Sequence, residues 1–316
     1  MKAIFKTVSL AVIAAGLTFT SCKKDKKTDP QDPDETASFS QQSRDESTTN
    51  TTADMSMDDA EAVLGNTSLS GLKTTSIPGL CNATVDTSQK ASGIVTITYN
   101  GNSCDGLRSR TGTITLQIAN YPTMHWKDAG AVLTITYNNF KVTQNSSGKS
   151  TTLNGTHTLT NVTGGIVAHI GISPNPSTIV RKIRSNNMTL TFDDGTQRSW
   201  SVARKRTWTG TSGTPTSLTI DGDTTINGHS NTVVWGTNRA GNSFSASINN
   251  GIVVTSACGW YAPVSGLKTH YFNSRVCTVQ FGLDSNGNTP ASGCPGYYKV
   301  SWTGLNGNTH TYIGSY

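Results

Sequence analysis

The stretch Ala131-Val132-Leu133-Thr134-Ile135-Thr136-Tyr137 places an apolar residue at every odd-numbered position. A period of two puts those odd-numbered side chains on one side of an extended strand. Residues 94–99, 112–118 and 188–192 show the same alternation, with β-branched residues throughout. These stretches predict strands that bury one face.

Turn sequences between the apolar stretches support the same interpretation. Asn-Gly or Asp-Gly pairs occur at 100–101, 154–155, 194–195, 227–228, 286–287 and 306–307. Such pairs tolerate the positive φ angles that tight hairpins need. No sustained helical periodicity follows Asn66. We therefore predict an all-β, antiparallel body, either sandwich-like or built as an elongated sheet.

The first residues of the chain carry an export signal. Lys2 and Lys6 precede an uncharged apolar run at 7–19, and Cys22 follows directly before several lysines. The run is too short for a membrane-spanning helix, which needs about 20 apolar residues. It resembles the signal of Gram-negative bacterial lipoproteins, which implies removal of residues 1–21 and acylation of Cys22. An ordinary secretory signal, in which Cys22 has no role, is the alternative.

Residues 22–66 have the composition of a disordered tether. Large apolar residues are scarce there, and Asp, Pro, Ser and Thr are abundant. Such a segment buries too little apolar surface to offset the entropy lost on ordering. Within it, residues 54–64 have the pattern of one or two helical turns. We expect a flexible connection between a lipid anchor and the β body.

Charged residues are distributed unequally along the chain. Residues 1–62 hold seven basic and eleven acidic residues, whereas residues 63–316 hold eighteen basic and eight acidic ones, a net +10. A cationic domain attracts anionic neighbours. Export argues against nucleic acid, so an anionic glycan or lipopolysaccharide is the expected partner. Solubility of a strand-rich surface is the alternative explanation for the excess of lysine and arginine.

Two segments share an arrangement of cysteines around a hairpin. A Cys-x-Gly sequence follows a strand and turn at 104–106 and again at 294–296, and Cys81 or Cys258 precedes each unit. The pattern predicts two related β-units, 67–180 and 181–316, with one continuous β-domain as the alternative.

Five cysteines remain besides Cys22. In an exported domain disulfides persist. The repeat predicts the pairs Cys81–Cys104 and Cys258–Cys294, which leaves Cys277 as a buried free thiol. The alternative pairing, Cys277–Cys294, would close a hairpin.

The segment 200–208 combines two arginines with two tryptophans. On a strand, Trp200, Arg204, Arg206 and Trp208 project on one side. They form either a structural cation–π ladder or an exposed platform that binds an anionic glycan through Arg and stacks sugar rings on Trp.

Signatures of catalysis and of cofactor binding are missing from the sequence. It lacks Gly-x-Ser-x-Gly, His-Glu-x-x-His and Cys-x-x-Cys. Its six histidines are dispersed without the spacing of metal ligands. We expect no catalytic residues, no cofactor and no metal. The alternative is a polysaccharide hydrolase that uses Asp221 and Asp223 as its carboxylate pair.

The Cys22 signal, the tether, the two cysteine-bracketed hairpins and the Trp/Arg segment together resemble uncharacterised β-rich lipoproteins of Gram-negative envelopes. That resemblance implies an outer-membrane location, on either the periplasmic face or the cell surface, and carries no known activity. We expect a non-catalytic binding or structural domain held to membrane lipid through Cys22. A subunit of a larger envelope complex is a further alternative.

Overall fold

The computed structural model describes residues 33–65, 77, 79–260, 262–272, 275–304 and 307–316. Within its single long helix it describes the side chains at 41, 42, 44–46 and 48–65. The signal at 1–21 and Cys22 lie outside these residues. The described part of the chain begins with helix α1, Pro33–Gly65, and continues as strands joined by turns and three short 3₁₀ segments.

The strands in chain order are β1 Ala83–Asp86, β2 Ile94–Asn102, β3 Arg108–Ile118, β4 Ala131–Gln144, β5 Ser150–Asn161, β6 Thr178–Phe192, β7 Gln197–Thr211, β8 Thr214–Gly222, β9 Thr224–Ile226, β10 His229–Thr237, β11 Ser243–Thr255, β12 Ser265–Phe272, β13 Arg275–Leu283, β14 Tyr297–Thr303 and β15 Thr309–Ser315. All pair antiparallel. The prediction of an all-β antiparallel body is confirmed.

The strands form one sheet that runs from β1 to β15. Strands β8 and β10 share one row, because β7 and β11 each pair with β10 along one part and with β8 along another. The arrangement is thus a continuous sheet. The proposed boundary between residues 180 and 181 falls inside β6, so no break in the sheet separates two units there.

A row of β-bulges crosses the first half of the sheet. Register shifts occur around Gly112 in β3, at 138–139 in β4, at 155–156 in β5 and at 186–187 in β6. Bulges bend a strand and increase its twist. Because the bulges lie at neighbouring positions of adjacent strands, they bend the sheet along one line. A sheet bent in this way can enclose another element.

Helix α1 is that element, and its middle part is enclosed on every side. The six consecutive residues 49–54 are all buried, and six residues span more than one helical turn. Hydrogen bonds and ion pairs join the helix to strands from β2 to β12. The sheet therefore wraps around α1.

The disordered tether predicted for 22–66 is wrong for residues 33–65. The prediction of disorder rests on the small apolar surface that this segment can bury. The helix does contribute an apolar stripe to the core, through Ala53, Met57, Ala60 and Val63. Most of its other contacts are charged, because carboxylates of the helix meet arginines that project inward from the sheet. Those arginines lie far along the chain, and their contacts keep the helix ordered. The composition of residues 22–66 alone does not reveal these contacts.

Candidate functional site: the helix-filled interior of the sheet

The inward face of β7 carries the Trp/Arg segment. Trp200, Arg204, Arg206 and Trp208 are exposed by only 0%, 3%, 5% and 6%. The four residues are therefore not an exposed platform in this structure. Instead, Arg204 and Arg206 reach carboxylates of α1, and the tryptophans pack in the core.

Arg204 is held by two helix residues. Its Nη1 donates to Asp54 Oδ1 at 2.8 Å, and its Nη2 donates to Asn50 Oδ1 at 2.8 Å. Because both charges are buried, each depends on the other for compensation. The helix thus occupies the position where sequence analysis expected an external anion.

Arg206 completes one part of the predicted ladder. Its guanidinium lies 5.3 Å from the centroid of the Trp208 ring, and its Nη2 lies 4.0 Å from Asp58 Oδ1. Trp200 does not join this stack. Its ring meets His157 edge-on, at 5.3 Å between centroids.

The same combination of arginine, aromatic ring and helix carboxylate recurs at Asp59, the next residue of α1. Arg110 stacks on Tyr99 at 4.8 Å and donates to Asp59 Oδ2 at 2.7 Å. Tyr99 donates to the same Asp59 oxygen at 2.8 Å. The unit around Asp59 joins a charge-assisted hydrogen bond to a cation–π contact, both strengthened by burial.

A second such unit involves Glu61. Arg181 stacks on Trp126 at 4.7 Å and donates to Glu61 Oε1 at 2.9 Å. Trp126 donates from Nε1 to Glu61 Oε2 at 3.0 Å. Both oxygens of this carboxylate are therefore engaged by the sheet.

The N-terminal half of the described helix meets later strands. Arg239, just after β10, donates from Nε and Nη2 to the two oxygens of Asp45, at 2.8 and 2.7 Å. Lys268 on β12 donates to Glu46 Oε1, and His270 Nδ1 lies 3.2 Å from Glu46 Oε2. Six helix carboxylates, at 45, 46, 54, 58, 59 and 61, thus pair with cations of the sheet and its loops.

Burial and pairing move the pKa values of interior groups in different directions. Burial opposes ionisation of Glu46, yet Lys268 and His270 outweigh it and hold the pKa of Glu46 well below its usual value. At Asp59 burial outweighs Arg110 and Tyr99 and raises the pKa to about 6. Burial, with Arg204 nearby, lowers the pKa of His157 to about 3, so this imidazole is neutral.

Asp221 and Asp223, the carboxylates of the hydrolase alternative, are both partly exposed. Lys205 Nζ lies 3.3 Å from Asp221 Oδ2, and Asp223 pairs with Lys182 and Arg184. Lys205 lies on β7, the neighbour of β8, whereas Lys182 and Arg184 lie one strand further away, on β6. Both carboxylates therefore form ion pairs with cations of nearby strands.

The cysteines follow the predicted pattern. Cys81–Cys104 and Cys258–Cys294 form disulfides, with Cα–Cα distances of 5.1 and 5.3 Å. The first joins the open ends of the β1–β2 hairpin, and the second joins those of β12–β13. Cys277 is free and buried, so the alternative pairing through it is not formed. Burial raises the pKa of its thiol to about 12.

Sequence reasoning missed the helix carboxylates and the inward arginines at 110, 181, 198 and 239. The available signal was the division of charge. Helix α1 holds eight carboxylates and one arginine, whereas the chain after residue 62 carries the excess of cations. From the sequence alone this imbalance suggests attraction to an external anion, yet many of the cations pair with carboxylates of α1.

Across the described ranges, no helix has both the length and the apolar character needed to cross a membrane. In that part of the chain, His, Cys, Asp and Glu side chains do not gather in groups of three or more that could hold a metal ion. Comparison with protein-family models, with curated proteins and with solved structures finds no match to this chain.

Proposed function

We propose that this chain is a lipid-anchored protein of the Gram-negative cell envelope, with a non-catalytic binding or structural role. The observation that supports the anchor is the uncharged apolar run at 7–19, which Cys22 and several lysines follow closely. Helix α1 docks inside the sheet through Arg204 and Asp54. Eleven peptide units join Cys22 to Pro33, and they reach at most about 40 Å when fully extended. The β body would therefore stay close to its membrane.

Metabolic labelling with radioactive palmitate tests the anchor. We expect label in the wild-type chain and none in Cys22→Ala, which should also leave the membrane fraction. Cys277→Ala is the matched control, because it removes another free thiol. Equal membrane association of the Cys22→Ala and wild-type chains would contradict the anchor.

An anionic glycan or lipopolysaccharide is our second candidate, as a ligand that competes with α1. The observation that favours it is that several buried polar atoms of the interior, Asp54 Oδ2, Arg204 Nε and Arg206 Nε, have no hydrogen-bond partner. Unsatisfied buried polar groups weaken the hold on the helix. An anionic chain would compete for the same guanidinium groups.

Binding to an immobilised sulfated polysaccharide tests this competition. We expect salt-sensitive binding that increases in Asp54→Ala/Asp58→Ala and is lost in Arg204→Ala/Arg206→Ala. The pair Asp221→Ala/Asp223→Ala, at the end of β8 and not in α1, controls for loss of two negative charges. Identical binding in all of these variants would remove the interior as the ligand site.

A further inference from the structure

Five arginines in the described part of the chain lie over an aromatic ring: Arg110, Arg181, Arg198, Arg206 and Arg239. Four of them have a carboxylate of α1 within 4.0 Å. The exception is Arg198 on β7. It stacks on Phe244 at 4.4 Å, but no carboxylate is hydrogen-bonded to it.

Arg198 is a buried cation with unused donors. Its side chain is 2% exposed, and Nε, Nη1 and Nη2 all lack a hydrogen-bond partner. The ring of Phe244 covers a face of the guanidinium, and the five N–H donors point outward in its plane. A buried charge without such partners is costly, so this position favours an added acceptor.

Nearby carboxylates are already engaged elsewhere. Asp45 and Glu46 are the negative groups that act on Arg198. Asp45 receives two hydrogen bonds from Arg239 and one from Gln41, and Glu46 pairs with Lys268 and His270. Arg239 also pairs with Asp194, which is half exposed. Arg198 is therefore the cation of this group that has no carboxylate of its own.

A second donor lies on the same side of the helix. Gln42 precedes Glu46 by one turn, which places both side chains on one helix face. Gln42 is 5% exposed, and neither its Nε2 nor its Oε1 has a hydrogen-bond partner. Its amide can rotate to present Nε2 to an anion.

We propose that Arg198, stacked on Phe244 and assisted by Gln42, binds one small monovalent anion inside the sheet, beside α1. One guanidinium without a carboxylate partner favours a ligand with a single negative charge. Enclosure by the sheet and helix restricts it to the size of a halide or a small carboxylate. Because α1 supplies Gln42, bound anion stabilises the docked helix. The proposal goes beyond the glycan candidate, which concerns Arg204 and Arg206.

Bromide is the probe. Crystals of the full chain, purified in detergent and grown in sodium bromide, should show an anomalous peak within hydrogen-bond distance of the Arg198 guanidinium. Bromide found only at exposed lysines would mean an adventitious ion only, and would overturn the proposal. This measurement needs no variant.

Thermal unfolding gives a second readout at constant sodium concentration, with chloride compared against gluconate, which is too large to enter. Chloride at ten times its Kd should raise the wild-type Tm by about 3 °C. We expect that increase to persist in Lys141→Met, which removes an exposed cation, and to disappear in Arg198→Met. An equal chloride response in Arg198→Met and Lys141→Met would refute the site.

Discussion

Arg204 Nη1 donates to Asp54 Oδ1 at 2.8 Å across 150 positions of sequence, with both side chains buried. This contact joins the first element of the chain to the middle of the sheet. Removing one partner leaves the other as an uncompensated buried charge. The pair therefore reports directly on whether α1 is docked.

Asp54→Ala should lower the free energy of unfolding by about 3–5 kcal/mol, as expected when a buried ion pair loses one partner. Urea unfolding at pH 7 measures the change. Asp221→Ala breaks a partly exposed ion pair with Lys205 and should cost less than about 1 kcal/mol. Similar losses in both variants would mean that α1 is not enclosed.

Replacing both members of the buried pair gives the complementary test. Asp54→Leu combined with Arg204→Met removes both charges and keeps the approximate volume. We expect the double variant to recover much of the stability that Asp54→Ala loses, because buried ion pairs contribute little more than apolar packing. A double variant less stable than Asp54→Ala would contradict this expectation.

Acid should weaken the fold partly through His157. Its unfolded pKa is 6.5 and its folded pKa is about 3, so the unfolded chain binds the proton first as pH falls. Stability is therefore lost from pH 6.5 downward. Between pH 7 and 4 the free energy of unfolding of His157→Gln should fall by roughly 3 kcal/mol less than that of the wild type. His125→Gln, at an exposed histidine, should follow the wild-type profile.

Protonation of Asp59 has the opposite effect on stability over the same pH range. Its folded pKa of about 6 exceeds the unfolded value of 3.8, so the folded chain binds the proton first and gains stability as pH falls from 6 towards 4. Asp59→Asn lacks that gain and should show a steeper loss on acidification than wild type. A shallower profile in urea titrations would contradict the assignment.

Cys277 should resist thiol reagents in the folded chain. Burial raises its pKa to about 12 and restricts access, so little thiolate forms at neutral pH. In Cys22→Ala, we expect no reaction with Ellman's reagent before unfolding and one thiol per chain in urea. Peptide mapping without reduction should recover Cys81–Cys104 and Cys258–Cys294. A cross-link that contains Cys277 would contradict the structure.

Gly112 occupies the bulge of β3 with φ of 91°, and an added Cβ would lie 2.1 Å from the carbonyl oxygen of Asn139. Gly112→Ala should therefore destabilise by about 3 kcal/mol or more, through strain and collision together. Gly130→Ala has a similar φ of 83° and open space around the added Cβ, so only the backbone strain, about 1 kcal/mol, should remain. Thermal unfolding separates the two.

The strands were predictable because their signals are local. Alternation in 131–137 lies within β4. The Asn-Gly or Asp-Gly pairs at 194–195, 227–228 and 286–287 lie in turns and 154–155 lies at a bulge, whereas Asn100-Gly101 lies within β2 in regular register with β3. The paired cysteines could be assigned from the shared placement of Cys81 and Cys258. Each of these signals lies within a few tens of residues.

Helix α1 could not be predicted in the same way. Period two places Arg204 and Arg206 on one side of β7, but it does not say whether that side faces water or the interior. Their partners, Asp54 and Asp58, lie about 150 positions earlier in a segment that lacks large apolar residues. Only the opposite net charges of the two regions indicated that they might meet.

The distance in sequence between Glu46 and Lys268, 222 positions, bears on the order in which the protein is made. The helix segment leaves the ribosome long before the strand that receives it, and must remain unpaired meanwhile. A hydrophobic helix left in that condition would aggregate. A helix segment rich in carboxylates, threonines and serines stays hydrated until the sheet closes around it. Its polarity therefore limits aggregation of the chain before the later strands are made.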